Sequence, residues 1–139
     1  AALVMMREAT ANKLGCKPLA RIVGHATHAQ EPEWFATAPL GATHKVLAKA
    51  GWAVGDVDLW EINEAFAVVP MALRKELDLP HDKVNVHGGA CALGHPIGAS
   101  GARIMVTLMY ALQARGLKKG LATLCIGGGE ATAVALELV

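Results

Sequence analysis

The residue placed most clearly for chemistry is His95, which stands between a glycine-rich loop and a proline that can begin a helix. It lies within residues 84–101, VNVHGGACALGHPIGASG. Glycine lets a backbone approach a ligand closely, and proline at the first helical position, here Pro96, gives up only an N–H that the helix would not use. Because the free N–H groups of a first helical turn favour negative charge, a histidine there is well placed for proton transfer. The simpler alternative is a buried histidine that only caps the helix.

Two further polar residues stand where predicted strands end. Asn63 follows the alternating stretch 57–62, and Cys125 lies at the end of the apolar stretch 121–126. Ligands of open α/β sheets bind at the carboxyl ends of parallel strands, so we expect Asn63, His95 and Cys125 to meet at one edge of the sheet. The ordinary alternatives are a turn or helix-capping asparagine, an inert buried cysteine and a simple tight turn for the glycines that follow it.

A metal site is a weaker interpretation. His87, Cys91 and His95 are spaced as three zinc ligands would be on one helix face, but the glycines between them disfavour a helix. His25 and His28 lie in a segment without periodicity that we interpret as a loop, so surface or core histidines are the simpler reading. A dinucleotide site is weaker still, because the glycine-rich stretch 84–101 lacks the G-x-G-x-x-G order and the acidic residue that follows it in such sites. We therefore expect no bound metal.

Composition limits the class of partner. The chain has 139 residues, 53% of them hydrophobic, and a formal net charge of +1. This is enough for one domain with a real core, and without a basic run the chain has no surface suited to nucleic acid or an anionic membrane. Apolar runs stop well short of the roughly 20 residues that span a bilayer, and three cysteines without paired spacing fit a reducing compartment. We expect a cytoplasmic protein, or one of an organellar matrix, that acts on a small substrate.

Strands and helices alternate along the chain in the order β-α-β-α-β-α-β-β. Alternating or fully apolar stretches predict the strands, and apolar residues at helical spacing predict helices, two of which end at Gly51 and Gly116. Too few residues separate the last two strands for a crossover helix, so this pair should be antiparallel. The order predicts an α/β fold with a mixed, mostly parallel five-stranded sheet and helices on its faces. The predicted strands are 19–23, 57–62, 84–86, 121–126 and 131–139, and the helices 37–50, 66–77 and 97–115.

The first residues look like part of another unit. Residues 1–6 form an apolar, strand-like run with no initiator methionine and no turn signal ahead of it. Residues 7–14 favour a helix. We expect this strand to belong to a sheet that is built by residues upstream. Left unpaired, it would tend to associate with another chain.

Three motifs occur along the chain, N-E-A-F-A at 63–67, G-H-P-I-G-A-S-G at 94–101 and C-I-G-G-G at 125–129. In this order they resemble the C-terminal domain of the thiolase family, of the acetyl-CoA acetyltransferase (acetoacetyl-CoA thiolase) type. The resemblance covers nearly the whole chain and implies a duplicated fold whose other half supplies a nucleophilic cysteine. By this resemblance, residues 1–16 are the strand and helix that end the preceding domain, and residues 17–139 are the C-terminal thiolase domain.

The resemblance also implies catalytic roles. Thiolases form or cleave the carbon–carbon bond between two acyl units through an acyl-enzyme. Cys125 would take a proton from the α-carbon of an acetyl thioester, which requires its thiol pKa of roughly 8.5 to be lowered. We expect His95 or N–H groups of the glycine turn to lower it. His95 Nε2 and a water held by Asn63 would stabilise the enolate oxygen, as an oxyanion hole.

The remaining implied features concern acyl transfer and partners. The N–H of Gly127 would serve a second oxyanion hole, and Ala65 and Phe66 would line the acyl pocket. Coenzyme A thioesters would be the substrates, with no tightly bound cofactor. The partners would be the N-terminal domain and identical subunits in a homodimer or homotetramer, and the chain alone should be inactive. The alternative function is a non-catalytic thiolase-like domain for dimerisation or interaction.

Overall fold

Four strands form one mixed sheet in the computed structural model, which describes residues 1–139 throughout. They are β1 (Ala20–Ala29), β2 (Leu59–Ile62), β3 (Lys119–Ile126) and β4 (Glu130–Leu138), in the spatial order β1-β4-β3-β2. β4 is antiparallel to both of its neighbours, whereas β2 is parallel to β3. Three strands therefore run in one direction and β4 alone is reversed, so the predicted α/β class and the antiparallel last pair are confirmed. Because β4 lies inside the sheet, two of the three ladders are antiparallel.

The predicted fifth strand is reduced to one residue. Val84 forms a single parallel bridge with Trp60, and the pairing stops at Asn85, whose φ of 48° is left-handed. In place of a longer ladder, the Asn85 side chain accepts a hydrogen bond from the N–H of Ile62 and donates one to its carbonyl oxygen, both at 2.8 Å. The sheet has four strands and not five because a side-chain amide here replaces the backbone of a strand.

The first strand is longer than predicted. Residues 24–29, interpreted as the beginning of a loop, continue β1 and pair with residues 130–135 of β4. A register shift between Ile22 and Gly24 marks a β-bulge, which breaks the alternation that would identify a strand in a sequence. β1 is also an edge strand with mostly exposed or half-buried side chains. The loop interpretation was wrong here because backbone pairing with a distant partner, and not side-chain burial, holds this part of the strand.

Five helices flank the sheet. They are α1 (Glu8–Leu14), α2 (Ala38–Ala50), α3 (Val68–Leu77), α4 (Ala90–Leu93) and α5 (Ile97–Arg115), with short 3₁₀ turns at Pro32–Thr37, Val54–Asp56 and His81–Lys83. Gly51 and Gly116 end α2 and α5 in the left-handed conformation, as predicted. Pro70 is the third residue of α3, where the missing N–H costs no intrahelical hydrogen bond. α4 was not predicted, because its glycine-rich flanks indicate a loop.

Two apolar layers cover the two faces of the sheet. α2 and α3 pack on one face, over a core that includes Trp60, Ile62 and Leu121. α5 packs on the other face, over Leu59 and Ala122. Successive residues of a strand point to opposite faces, so each residue near the end of β2 or β3 faces one helical layer or the other. The face to which each residue points determines which side chains can be in contact at the edge of the sheet.

Residues 1–7 carry no regular secondary structure, and the side chains of Val4 and Met5 are exposed. The strand predicted over residues 1–6 is absent because it has no pairing partner within the chain, whereas the helix predicted after it forms as α1. The assignment of residues 1–16 to a preceding domain stays a prediction. None of the helices is both long enough and apolar enough to cross a membrane.

Candidate active site

Asn63, His95 and Cys125 all lie at the carboxyl end of the parallel strands. Asn63 follows β2 directly, and its N–H donates to the carbonyl oxygen of Thr123 at 3.0 Å, which extends the β2–β3 ladder by one residue. His95 comes just before the first turn of α5, and Cys125 is the next-to-last residue of β3. The backbone therefore brings the three residues to one edge of the sheet, as expected from the strand ends, and their side chains then differ in direction.

Asn63 and His95 are in direct contact. Asn63 Nδ2 lies 3.5 Å from His95 Nδ1 and 3.4 Å from Nε2. An atom almost equidistant from both ring nitrogens sits over the ring, because in the ring plane it would collide with the carbon between them. The contact is thus packing of an amide on an imidazole and not a directional hydrogen bond. Asn63 is 1% exposed and its Oδ1 has no hydrogen-bond partner in the chain, so this oxygen is suited to accept a hydrogen bond from a bound water.

Ser100 orients the His95 ring. Its Oγ lies 2.6 Å from His95 Nδ1 and 3.1 Å from the carbonyl oxygen of Pro96. A hydroxyl has one proton, so both contacts are satisfied when Ser100 donates to Pro96 and the His95 Nδ1–H donates to Ser100. Nε2 is then the unprotonated nitrogen of a neutral imidazole and can act as a base. Sequence reasoning did not single out Ser100; a serine one turn along the helix from a candidate base was the available signal.

Cys125 is buried on the opposite face of the sheet. Its side chain belongs to the core beneath α2 and α3, whereas Asn63 contacts His95 at the start of α5. Burial raises the pKa of the Cys125 thiol above its ordinary value, and a backbone hydrogen bond lowers it by less. The expected lowering of this pKa is therefore wrong for the chain. Apolar neighbours disfavour a thiolate, and the ring nitrogens of His95 contact Ser100 and Asn63 instead.

The glycine turn after Cys125 leaves two N–H groups, those of Gly127 and Gly128, without a hydrogen bond. Gly127 is exposed, has open space where a side chain would be, and its N–H makes no backbone hydrogen bond. Gly129 has a φ of 96°, and a side chain there would collide with the carbonyl oxygen of Gln30 and with Pro32. Its own carbonyl oxygen accepts a hydrogen bond from the N–H of Gln30 at 3.0 Å. Gly129 is thus required by a tight turn, while the N–H of Gly127 is available to a ligand.

Ala65 and Phe66 lie in the turn between β2 and α3. Phe66 is 60% exposed, and its ring meets that of Phe35 edge-on, with centroids 6.0 Å apart. Ala65 is partly buried against the core beneath α2 and α3. An aromatic edge is therefore exposed within three residues of Asn63 along the chain. Sequence reasoning missed Phe35 because it lies in a 3₁₀ turn that was interpreted as loop.

A buried ion pair lies between β2 and α5. Glu61, two residues before Asn63, is 1% exposed, and its Oε2 is 3.9 Å from Arg103 Nη1. Burial raises the pKa of Glu61 to about 7, opposed by the charge of Arg103 and assisted by that of Glu64. Glu61 Oε1 and the three guanidinium nitrogens of Arg103 lack hydrogen-bond partners in the chain. The sequence did not reveal this pair, because only the tertiary structure places the two charges opposite each other.

The histidines and Cys91 that matched metal-ligand spacing have other surroundings. Cys91 is exposed and its N–H donates to Glu64 Oε2 at 2.9 Å. His28 is part of β1, not of a loop, and its Nε2 pairs with Gln30 Oε1 at 3.1 Å. Nowhere in the chain do three or more His, Cys, Asp or Glu side chains converge as metal ligands would.

Comparison with known proteins identifies the family. Residues 16–138 match the family described as thiolase, C-terminal domain. An acetyl-CoA acetyltransferase of Chromobacterium violaceum is 57% identical over 137 residues, and a probable acetyl-CoA acetyltransferase of Dictyostelium discoideum is 56% identical over 135 residues. The alignments cover 99% and 97% of this chain but 35% and 33% of the relatives. The chain therefore spans about a third of the length of the curated relatives it matches.

Two solved structures are similar to the whole fold. The crystal structure of the Bacillus anthracis acetyl-CoA acetyltransferase superimposes with a TM-score of 0.93 at 48% identity. The crystal structure of Acat5 thiolase from Ascaris suum, in complex with coenzyme A, superimposes with a TM-score of 0.89 at 43% identity. Each match covers 96% of this chain and 34% of the other. The chain belongs to the thiolase family, in which it is the C-terminal domain.

Proposed function

We propose that this chain is the C-terminal part of an enzyme that condenses two acetyl-CoA molecules, or cleaves acetoacetyl-CoA and related 3-ketoacyl-CoA thioesters with coenzyme A. The observation that carries the proposal is the contact between Asn63 and His95 at the strand ends, where Asn63 keeps a buried, unpartnered Oδ1. The free N–H of Gly127 and the thiol of Cys125 lie at the same edge. A base and two oxyanion sites are the groups that condensation of thioesters needs.

The enolate step uses Cys125, His95 and Asn63. The thiolate of Cys125 takes a proton from the α-carbon of an acetyl thioester, and the electron pair moves to the carbonyl oxygen to form an enolate. This oxygen accepts a hydrogen bond from His95 in the neutral tautomer that carries its proton on Nε2, with Nδ1 accepting from the Ser100 hydroxyl. It accepts a second hydrogen bond from a water that donates its other hydrogen to Asn63 Oδ1. The enolate carbon attacks the acyl group of an acyl-cysteine outside this chain, so that a carbon–carbon bond forms and the carbon–sulfur bond breaks.

The acyl-transfer step uses His95 and Gly127. Neutral His95, with Nδ1 bound to Ser100, takes the proton of the attacking thiol at Nε2 and returns it to the leaving thiol. The N–H of Gly127 and that of the nucleophile stabilise the tetrahedral oxyanion. Ala65 and Phe66 line the acyl pocket. The substrates are coenzyme A thioesters and no cofactor is tightly bound; support comes from the Ascaris suum thiolase, solved in complex with coenzyme A.

The partners are the N-terminal domain of the same protein and identical subunits, in a homodimer or homotetramer in the cytoplasm. Nucleic acids and membranes are not among them. Arg103 and Arg115 are the two charged residues among the 19 of α5, and a helix that is apolar all round is normally buried. Ile97 and Leu93, beside His95, are 84% and 58% exposed. This apolar surface supports a neighbouring domain that brings the nucleophilic cysteine to the site.

A chimera tests the proposal. This chain would replace the matching 137 residues of the Chromobacterium violaceum relative, and both condensation and thiolysis would be assayed. We expect activity comparable with that of the unmodified relative, and none from the 139-residue chain alone, because the nucleophilic cysteine that forms the acyl-enzyme belongs to the N-terminal domain. A chimera that folds and assembles but turns over neither substrate would contradict the proposal and favour a non-catalytic interaction domain. Turnover by the chain alone would contradict its dependence on the N-terminal domain.

A further inference from the structure

Asn85 connects with its side chain to the segment that carries Asn63. It accepts a hydrogen bond from the N–H of Ile62 and donates one to the Ile62 carbonyl oxygen, each at 2.8 Å. The same amide group also donates to Glu64 Oε1 at 3.1 Å. The amide oxygen of Asn85 thus binds Ile62, the residue before Asn63, and the amide nitrogen binds both Ile62 and Glu64, the residue after it. One side chain therefore holds the two residues that flank Asn63.

Glu64 continues this connection to the loop that carries His95. Its Oε2 accepts a hydrogen bond from the N–H of Cys91, in the first turn of α4, at 2.9 Å. Gly89, the residue before α4, has no room for a side chain because its Cβ would collide with the Glu64 carboxylate. Only Gly94 separates α4 from His95. The carboxylate thus holds the loop four residues before the histidine.

Glu64 is a charged acceptor at neutral pH. Partial burial acts to raise its pKa, but hydrogen bonds from Cys91 and Asn85 and the nearby charge of Arg103 outweigh this effect and hold the pKa below its ordinary value. Hydrogen bonds to an ionised acceptor are about twice as strong as neutral ones. They therefore constrain the loop more firmly than the contact between Asn63 and His95, which lacks hydrogen-bond geometry.

We propose that Asn85 and Glu64 are positioning residues that set the placement of Asn63 relative to His95, an inference that rests on the proposed function. We call these two side chains the Asn85–Glu64 bridge. Asn63 and His95 are 32 residues apart in sequence, and both must reach one thioester oxygen. The bridge joins the residues that flank Asn63 to the helix just before His95, so it aligns the two halves of the oxyanion site. A misplacement of about 1 Å in such a site can cost 10²-fold in rate.

The backbone of Asn85 allows a clean substitution. Its φ of 48° is uncommon for a residue with a side chain, although asparagine tolerates it better than most. Asn85→Gly keeps this conformation without strain and removes the three hydrogen bonds that the Asn85 side chain makes to Ile62 and Glu64. Asp78 has the same kind of backbone, with a φ of 51°, at the C-cap of α3, the end of that helix farther from the Asn63 turn. Asp78→Gly is therefore a matched control.

The kinetic test compares Asn85→Gly, Glu64→Ala, Glu64→Gln and the control Asp78→Gly in the chimera described above. We expect the first two to lower kcat for condensation about 10²-fold with KM for acetyl-CoA unchanged, because alignment is lost and the acyl pocket is intact. Glu64→Gln keeps one acceptor oxygen and should recover part of the rate. Exchange of labelled coenzyme A into acetyl-CoA, which needs His95 but not Asn63, should fall less than condensation.

Hydrogen–deuterium exchange provides a readout that does not depend on activity. The N–H of Cys91 is bonded to the Glu64 carboxylate, so peptides covering residues 86–96 should exchange faster in Asn85→Gly and Glu64→Ala. The same peptides should exchange at the original rate in Asp78→Gly. Melting temperatures of all four variants are measured alongside.

Two results would overturn the proposal. One is an equal loss of condensation and coenzyme A exchange that follows the melting temperature and is matched by Asp78→Gly, because destabilisation alone produces it. The other is unchanged deuterium exchange over residues 86–96 in Glu64→Ala. If the unsubstituted chimera is inactive, the proposed function fails separately, and deuterium exchange alone then decides whether the bridge holds the His95 loop.

Discussion

The β2–α5 side of the candidate site and the β3–β4 side reach the same sheet edge by different physical means. On the β2–α5 side, side chains determine the geometry: Ser100 orients the His95 ring, and the Asn85–Glu64 bridge ties the loop to β2. On the β3–β4 side, Cys125 stands in a continuous antiparallel ladder, and the turn that follows consists of glycines. One side is held by a few polar groups and the other by the backbone itself.

The two sides should therefore respond differently to substitution. A geometry built from side chains can be lost through one polar substitution while the fold persists, because no backbone pairing changes. A geometry built from the backbone changes only where a new side chain has no room, and stability then falls with it. Activity and stability should therefore separate on the β2–α5 side and fall together when the β3–β4 turn is distorted.

The largest effect is expected from Cys125→Ala, which removes a reactive group from the β3–β4 side and leaves its backbone in place. Condensation by the chimera should fall by about 10²–10⁴, the usual contribution of a general base, while exchange of coenzyme A into acetyl-CoA continues. Cys16→Ala, at an exposed cysteine, is the control and should change neither activity. Full condensation activity in Cys125→Ala would refute its role as the base.

Asn63→Ala tests the β2–α5 side. It should lower condensation by about 10²-fold, the loss that follows removal of one oxyanion-hole group. The melting temperature should change little, because the bond from Asn63 to Thr123 is made by the backbone N–H. Asn12→Ala, at an exposed position of α1, is the control. If Asn63→Ala lowers the melting temperature, the condensation rate and the exchange of coenzyme A into acetyl-CoA together, Asn63 has a purely structural role.

Two glycine substitutions test the backbone-built turn. Gly129→Ala should lower the free energy of unfolding by about 2 kcal/mol or more, because of its positive φ and the collision with Gln30. Gly127→Ala, two residues earlier with open space around it, should leave stability almost unchanged. Urea unfolding of both variants measures the difference. Equal stabilities would mean that packing at the turn does not hold the β3–β4 side.

Glu61 should make the stability on the β2–α5 side depend on pH. A carboxyl with a pKa of about 7 when folded and 4.5 when unfolded binds more protons in the folded state between these values. Its stabilisation is complete below pH 4.5 and is lost as pH rises through 7, by at most about 1.4 kcal/mol per pH unit. Arg103 and Glu64 are the charged groups that act on it. Urea unfolding across this range should show a flatter profile for Glu61→Gln, and an unchanged slope would exclude Glu61 as its cause.

Features with local signals could be predicted from the sequence. α2 and α5 carry apolar residues at helical spacing and end at glycines, and both lie close to the predicted ranges. The outer half of β1 and the loss of the fifth strand could not be predicted. Each depends on contacts between distant segments, Ala29 with Glu130 and Asn85 with Ile62, and neither contact leaves a periodic pattern.

For the site, the sequence predicted which residue types gather at the strand ends but not how they face each other. Topology brings Asn63 and His95 to one edge of the sheet, whereas the contact between their side chains is visible only in the tertiary structure. The burial that raises the pKa of Cys125, and its position on the other face of the sheet, are properties of the packed core. The roles of Ser100 and the Asn85–Glu64 bridge come from their neighbours in space. The catalytic roles of all these residues stay predictions until the chimera is assayed.

The place of β4 in the sheet has a consequence for the order of folding. β4 lies between β1 and β3, and Ala20 of β1 pairs with Leu138 of β4. Because β1 has no other neighbour in the sheet, it stays unpaired during synthesis until β4 has left the ribosome. Such non-local pairing slows folding, and an unpaired strand invites misassociation during the delay. A premature stop within β4 would therefore leave β1 and the β2–β3 pair as separate pieces with no strand to join them.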